Sequence, residues 1–266
     1  MVAAMLRALL ASSALVLLLA APAFAVFGGK TIGDGDPIAR SVAAVLYRDT
    51  TGAHLCTAVV LSPRLILTAA HCTAGDRSDM KVIFSTGLSG VSGERLRGAA
   101  AVVRAGATPE AKGSYAYNNP DDIALVLLDS AAPPDATPAH LAAAPSGSVV
   151  HIAGYGATSD LRHGNLFGKQ QLGFGQGLRA ATATLKLKGA IFAANQSGSA
   201  GMCTGDSGGP AFVAGKNGVS VIGLLIGVSA PRDAADYCRG TAWFTSIPRW
   251  SGWIRTTAKS LGAPLP

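Results

Sequence analysis

Short apolar stretches separated by turn-forming residues run along most of the chain. In the first half they occupy residues 42–47, 57–61, 65–69, 81–84, 99–104 and 123–128. Gly, Pro, Asn and Asp stand between them, and the stretches lack the three- and four-residue spacing of an amphipathic helix. Runs of this kind are typical of β-strands joined by tight turns. The pattern therefore predicts an all-β chain.

A proline-rich passage at residues 131–145 separates a second series of apolar stretches from the first. The second series lies at residues 149–153, 178–187, 210–213, 219–227 and 243–247. One or two packed barrels would accommodate both series. Near the end, Trp250, Trp253, Ile254 and Thr257 recur at helical spacing after Pro248, a residue suited to a first helical turn. We expect a C-terminal helix at about residues 248–261.

The first residues have the features of a signal peptide. Arg7 precedes an apolar run at residues 8–21, and Ala23-Phe24-Ala25 is the small-x-small pattern after which signal peptidases cut. A cut after Ala23 is the competing possibility. The run is shorter than the ~20 residues that span a bilayer, so an uncleaved anchor is the weaker interpretation. We expect residues 1–25 to be removed on export, no stable membrane insertion, and a secreted or periplasmic protein.

Composition narrows the choice of partners and cofactors. The 266 residues are 49% hydrophobic, which supplies material for one sizeable core. The formal net charge is +7, but Lys and Arg are scattered, so we expect solvated charge and no nucleic-acid partner.

Export permits disulfides, and four cysteines allow three pairings that spacing alone leaves open. No Cys-x-x-Cys or clustered His/Cys pattern indicates a metal site, and we expect no cofactor.

Three short strings carry the candidate chemistry. They are Leu67-Thr68-Ala69-Ala70-His71-Cys72, Asp122-Ile123-Ala124-Leu125 and Cys203-Thr204-Gly205-Asp206-Ser207-Gly208-Gly209-Pro210. Each alone is a common local pattern. Together, in the order His, Asp, Ser, they resemble the trypsin and chymotrypsin family of serine proteases over nearly all of the chain after the leader. The resemblance implies a protease domain at residues 26–266 with two six-stranded antiparallel β-barrels, at about residues 26–135 and 136–247.

The resemblance implies a catalytic triad of Ser207, His71 and Asp122. A serine hydroxyl is almost never ionised at neutral pH, so the nucleophile requires a base, and imidazole is suited to that task. A buried carboxylate then holds the correct ring tautomer. Neighbours on a strand face opposite sides, so only one of Asp121 and Asp122 can point at His71. The family pattern assigns Asp122, and we expect Asp121 to be solvated.

The same resemblance implies an oxyanion hole and two disulfides. The backbone N–H groups of Gly205 and Ser207 would bind the oxygen that becomes negative during attack. Cys56 would pair with Cys72, and Cys203 with Cys238. Gly154-Tyr155-Gly156 is similar to the family's Gly-Trp-Gly segment, whereas Thr57-Ala58 stands where the family commonly has Gly-Gly.

An activation switch is also implied. Family members become active when a new N-terminus, usually Ile-Val-Gly-Gly, folds inward and its ammonium pairs with the Asp before the nucleophile. Here Val26-Phe27-Gly28-Gly29 follows Ala25 directly. We therefore hypothesise that signal cleavage creates the N-terminus at Val26, which pairs with Asp206. The alternative is that residues 26–29 form a disordered start.

The expected substrate pocket is not suited to a basic side chain. Gly201 stands where family members that cut after Arg or Lys carry aspartate. A buried substrate cation would lack a partner unless another acid reaches in, and Asp206, Asp233 and Asp236 lie on nearby segments. Met202 beside Gly201 would narrow the pocket. On the far wall, either Ile226 or Ser229 takes the place of a family serine, and Val228 at the mouth favours small or medium apolar side chains.

The chain is thus expected to be a monomeric serine endopeptidase with protein or peptide substrates and, as possible further partners, protein inhibitors. One alternative is a catalytically silent family member that acts as a binding protein; such proteins usually lack a triad residue, and none is missing here. Another is an esterase of a different fold, but those enzymes place serine before histidine within a Gly-x-Ser-x-Gly turn. The residue order in this chain argues against the esterase.

Overall fold

The computed structural model describes residues 26–106, 119–161, 171–174, 177–198, 200–215, 218–231 and 234–265. The expected signal peptide, residues 1–25, lies outside the described residues. The described chain is mostly β, which confirms the predicted fold class. Its first half contains these strands and a short helix: β1 (Lys30–Thr31), α1 (Pro37–Arg40), β2 (Val42–Asp49), β3 (Gly52–Ser62), β4 (Leu65–Thr68), β5 (Lys81–Ile83), β6 (Leu96–Arg104) and β7 (Ala124–Leu128).

Strands β2 to β7 close into a six-stranded antiparallel barrel in the order β2-β3-β4-β7-β6-β5. Ala43, Val45 and Val60 point into its interior with Ile66 and Val126. Residues of alternate parity on the same strands belong to a second cluster, which includes Val42, Ala44, Val59, Leu61, Leu65 and Leu67 and packs against the other half. Both faces of β4, and of β3 from Cys56 onward, are therefore buried. This explains why residues 58–61 and 65–67 are continuous apolar runs with no polar alternation.

The second half forms a nine-stranded sheet. Its strands are β8 (His140–Leu141), β9 (Val149–Gly154), β12 (Arg179–Thr184), β13 (Lys186–Lys188), β14 (Ile191–Asn195), β15 (Pro210–Gly215), β16 (Gly218–Ser229) and β17 (Thr241–Ser246), joined by β1. The path runs β1-β12-β9-β15-β16-β17-β14-β13, and β8 pairs with β16. A separate hairpin joins β10 (Ala157–Leu161) to β11 (Gln171–Phe174).

This sheet differs from the expected second barrel in two respects. Its described ladder is an open path, although Ile152 of β9 and Phe192 of β14 share one core. Four strand spacings would hold those strands roughly 19 Å apart in a flat sheet, so the sheet must curl around that core. Lys30 and Thr31 also pair with β12. The N-terminal segment therefore belongs to the second sheet, although the expected first barrel, at about residues 26–135, includes it.

Helix α2 (Ile247–Ser260) confirms the predicted C-terminal helix. Pro248 lies in its first turn, and Ile254, Thr257 and Ala258 are buried against the rest of the fold. The indole N–H of Trp250 donates to the carbonyl of Pro120 at 2.9 Å, which ties the helix to the segment that leads into β7. Of the helices in the described residues, none has the length and apolar character to cross a membrane.

Candidate active site

The first barrel brings His71 and Asp122 together at one edge. β4 and β7 are antiparallel neighbours with Thr68 opposite Ala124. The residues that follow β4 therefore lie beside those that precede β7. His71 lies in the 3-10 turn Ala70–Thr73 that follows β4, and Asp122 lies two residues before β7 begins.

Asp122 holds His71 at two points. One carboxylate oxygen lies 2.7 Å from His71 Nδ1, and the other accepts from the His71 backbone N–H at 2.9 Å. Both residues are buried. Because Nδ1 faces the carboxylate, Nε2 is the ring nitrogen available to accept a proton. Asp121 points elsewhere: its side chain is 45% exposed and lies 3.4 Å from Arg249 Nη2.

Ser207 lies in the loop before β15 and is half-buried. It lines the same cleft as His71, a cavity of about 330 Å³. The cleft lies where the edge of the first barrel meets the second sheet. Its other lining residues are His54, Leu55, Cys56, Cys203, Thr204, Gly205, Leu225, Ile226, Gly227, Val228 and Tyr237.

In the loop that leads to Ser207, the backbone carbonyls accept hydrogen bonds. Ala157 N–H donates to Thr204 O at 2.6 Å, and Gly209 N–H donates to Asp206 O at 2.8 Å. In a trans peptide the N–H points opposite to the carbonyl, so these bonds direct the N–H groups of Gly205 and Ser207 the other way. Among the described residues, neither N–H has an acceptor. Such a pair of donors can bind an oxyanion.

Gly205 is required at its position. Its φ of +94° lies in the region that L side chains rarely adopt. A Cβ there would lie 2.9 Å from the Cα of Gly156. The glycine therefore permits both the turn of the loop and its close packing on the segment after β9.

Two disulfides support the cleft. Cys56 of β3 is bonded to Cys72, the residue after His71, and Cys203 is bonded to Cys238. These are the two pairings that the family resemblance implied. Cys56, His71 and Cys72 also lie close enough together to suggest a metal site. However, both sulfurs are consumed in the disulfide, so the group has no thiolate to offer a metal.

Asp206, the loop residue that precedes Ser207, is fully buried. Its two carboxylate oxygens accept from Gly156 N–H at 2.7 Å and from Cys203 N–H at 2.8 Å. Among the described residues, no cation lies within ion-pair distance of it. Burial raises the pKa of this carboxyl from 3.8 to about 7, against the opposing effect of the two backbone hydrogen bonds.

Val26, the expected new N-terminus, is also fully buried and has an unusual φ of +45°. It packs in the same core cluster as Met202. Phe27 next to it forms a β-bridge with Gly201, whose N–H donates to Phe27 O at 3.0 Å. Within the described part of the chain, no hydrogen bond joins Val26 to Asp206.

Gly201 and Met202 differ from the expectation for the pocket, because both are buried and neither lines the cleft. The Gln196 side chain occupies the space beside them: it donates to Met202 O and Cys238 O and accepts from Met202 N–H. A Cβ on Gly201 would lie 2.5 Å from this side chain and 2.6 Å from the Phe27 ring. No sequence motif pointed to Gln196.

On the far wall of the pocket, the lining residues agree better with those expected from the sequence. Val228 lines the cleft, as expected. Ile226 lines it too, whereas the Ser229 hydroxyl accepts from the Trp243 indole N–H at 2.7 Å. Ile226 is therefore the wall residue of the two candidates. Among the described lining residues there is no Asp or Glu.

The family model for trypsin matches residues 32–254 of the chain. The chain belongs to the trypsin family. Human granzyme M is 30% identical over 154 residues, which is 55% of this chain and 58% of that protein, so the match spans little more than half of that relative. The phenoloxidase-activating enzyme 1 of Spodoptera litura is 27% identical over 267 residues, covering 88% of this chain and 67% of that protein.

A solved structure agrees with the trypsin-family fold. The crystal structure of a scabies mite inactivated protease paralogue superposes with a TM-score of 0.64 at 20% identity, covering 88% of this chain and 99% of that one. At this identity the likeness concerns the fold alone. Trypsin-family membership makes the chain one of a group of serine proteases and their homologues, and the two disulfides are typical of extracellular members.

Proposed function

We propose that the chain is an exported serine endopeptidase with Ser207 as nucleophile, His71 as general base and Asp122 as the carboxylate that orients the base. The observation that carries the proposal is the two-point grip of Asp122 on His71, in a cleft that also holds Ser207 and two N–H groups without acceptors.

The reaction follows from these contacts. Ser207 Oγ attacks the carbonyl carbon of the substrate and gives its proton to His71 Nε2, since Nδ1 is bonded to Asp122. The carbonyl oxygen becomes negative and is bound by the N–H groups of Gly205 and Ser207. The C–N bond then breaks, the amine leaves with the proton from the imidazolium, and an ester on Ser207 remains. Water, deprotonated by the same imidazole, hydrolyses that ester.

We further propose that the substrate residue before the cleaved bond is small or medium in size and apolar. Val228, Leu225 and Ile226 supply apolar walls, and the described lining has no carboxylate for Arg or Lys. The substrates are accordingly proteins or peptides cut without a basic preference.

Val26 and Asp206 are proposed to form the activation pair once the signal peptide has been cut after Ala25. Val26 is buried in the same core cluster as Met202, and Asp206 is a buried carboxylate without a cation among the described residues. An ammonium at Val26 would supply that cation. A carboxylate left unpaired in such a site costs roughly 3–5 kcal/mol.

A fluorophosphonate probe tests the catalytic proposal. We expect covalent labelling of the folded protein at Ser207 and cleavage of a peptide library, both of which are lost in Ser207→Ala; removal of the nucleophile typically lowers turnover by about 10⁶-fold. Folded protein that neither reacts with the probe nor cleaves the library would favour a catalytically silent binding protein. Unchanged cleavage by Ser207→Ala would overturn the assignment of the nucleophile.

A further inference from the structure

Thr57 stands where the family commonly has glycine, and its hydrogen bonds join several segments of the chain. It lies on β3, immediately after Cys56, and is fully buried. A buried hydroxyl must be hydrogen-bonded, because leaving it unpaired costs free energy. The Thr57 hydroxyl donates to Gly205 O at 3.1 Å and accepts from Tyr155 N–H at 3.2 Å.

The main chain of Thr57 adds two further bonds. Its N–H donates to Ser207 O at 2.8 Å, and its carbonyl accepts from the Thr68 hydroxyl at 2.8 Å. One residue of the first barrel therefore holds two carbonyls of the nucleophile loop, those of Gly205 and Ser207. It also contacts Tyr155, whose neighbour Gly156 donates to the Asp206 carboxylate.

The side-chain bond matters because Gly205 has no side chain of its own to restrict its backbone. The Gly205–Asp206 peptide is fixed at one end by Asp206 N–H, which donates to Cys203 O at 3.0 Å. At the other end the Thr57 hydroxyl is the sole donor to Gly205 O in the described structure. Without it, the Gly205–Asp206 peptide is held only through Asp206 N–H. A tilt of that peptide acts through the Gly205 Cα on the preceding peptide, which carries Gly205 N–H and is otherwise held by the bond from Ala157 N–H to Thr204 O.

We propose that Thr57 is a positioning residue for the oxyanion hole: its hydroxyl holds the Gly205 carbonyl and, together with the Ala157–Thr204 bond, keeps the Gly205 N–H directed at the oxyanion. Thr57 does not line the cleft, so it acts through Gly205 and not on the substrate. The inference rests on the proposed function of the site.

The test compares Thr57→Ser with Thr57→Ala, which lack the same methyl group and differ only in the hydroxyl. We expect kcat of Thr57→Ala to fall about 10- to 100-fold with KM changed by less than about twofold, because a misplaced donor acts on the transition state. Thr57→Ser should stay within about threefold of wild type. The affinity of Thr57→Ala for a peptide boronic acid, whose tetrahedral adduct uses the hole, should fall in parallel with kcat.

Ser41→Ala is the matched control, since Ser41 is fully buried in the first half and its hydroxyl donates to Thr137 O at 2.8 Å, away from the cleft. It should lose some thermal stability and keep kcat. Active-site titration with the fluorophosphonate normalises each variant to its folded fraction. Equal kcat and equal boronic-acid affinity in Thr57→Ala and Thr57→Ser would overturn the inference while leaving the proposed function intact. A wild type that neither labels nor turns over would instead refute the proposed function.

Discussion

The proposed base and the proposed nucleophile come from two regions that are held in different ways. His71 and Asp122 flank adjacent strands of a closed barrel and bond directly to each other. Ser207 lies in a loop of the second half whose shape depends on hydrogen bonds from Ala157, Thr57 and Gly209 and on the buried carboxylate of Asp206. The fold itself therefore assembles the proposed base, whereas the shape of the proposed nucleophile loop depends on these supporting contacts.

Among substitutions that keep Ser207 in place, the largest effect is expected in the first region. Asp122→Asn preserves the shape of the side chain but removes the charge that stabilises the imidazolium and sets the ring tautomer. We expect kcat to fall by about 10⁴-fold with little change in thermal stability. Steady-state kinetics on the best library peptide measures the loss, with Asp121→Asn as control because that side chain is half-exposed. Equal losses in the two variants would contradict the assignment of Asp122.

Asp206→Asn tests the second region. The carboxylate accepts one N–H at each oxygen, and an amide would turn its NH₂ towards one of those donors. We expect the loop to lose the oxyanion geometry and kcat to fall by roughly 10²- to 10³-fold. The Asp122–His71 contact should survive, which the NMR signal of the imidazole Nδ1 proton can report. Wild-type kcat in Asp206→Asn would show that the loop does not depend on this carboxylate.

The pH dependence of stability should separate two forms of the protein, both carrying Ser207→Ala to prevent self-digestion. In a form beginning at Phe24, Asp206 has no ammonium partner, and burial raises its pKa from 3.8 to about 7. The folded state then keeps a proton that the unfolded state releases. The free energy of unfolding should fall by up to about 4 kcal/mol as pH rises from 4 to 7.

In a form beginning at Val26, the ammonium offsets the burial of the carboxylate, so the fall over the same pH range should be smaller. Urea unfolding at several pH values measures both profiles. Superimposable profiles would exclude pairing between Val26 and Asp206.

The two disulfides offer a further contrast. The Cys56–Cys72 and Cys203–Cys238 bonds span 16 and 35 residues. Loop entropy predicts losses of about 3 and about 4 kcal/mol when each pair is replaced by alanine. We expect the folded Cys203→Ala/Cys238→Ala variant to lose more activity as well, because Cys203 N–H donates to Asp206. A larger loss of activity in the Cys56→Ala/Cys72→Ala variant would mean that the first barrel is the region that depends more on its disulfide.

The smallest effect concerns specificity. Gly201→Asp should leave cleavage after Arg or Lys at background level, because Gly201 does not line the cleft and the new side chain would meet Gln196 and Phe27. A peptide library measures the preference, with Val228→Gly as the comparison that should broaden it to larger side chains. Efficient cleavage after Arg by Gly201→Asp would place the pocket floor at that residue after all.

The sequence was sufficient for features that depend on local patterns. Apolar runs predicted the strands, the spacing of Trp250, Trp253 and Ile254 predicted α2, and the string around Ser207 indicated the family. The pairing of Asp122 with His71 joins distant parts of the chain and was predicted through the family resemblance; the structure explains it, since their strands are neighbours in the first barrel.

Features that depend on long-range packing were not predicted. Lys30 and Thr31 join the second sheet through a partner about 150 residues away, and Gln196 fills the space behind Gly201 through contacts with Met202 and Cys238. Neither arrangement has a sequence signature. Thr57 was visible only as a departure from the family pattern, and its role depends on where Gly205 and Tyr155 come to lie.

The most direct measurement of the contrast between the two regions is the rate of fluorophosphonate labelling of Ser207 in forms beginning at Val26 and at Phe24. We expect rapid labelling of the first form and labelling slower by at least about 100-fold in the second, because the oxyanion loop lacks its support. Equal rates in the two forms would contradict the claim that the nucleophile loop depends on a free N-terminus at Val26.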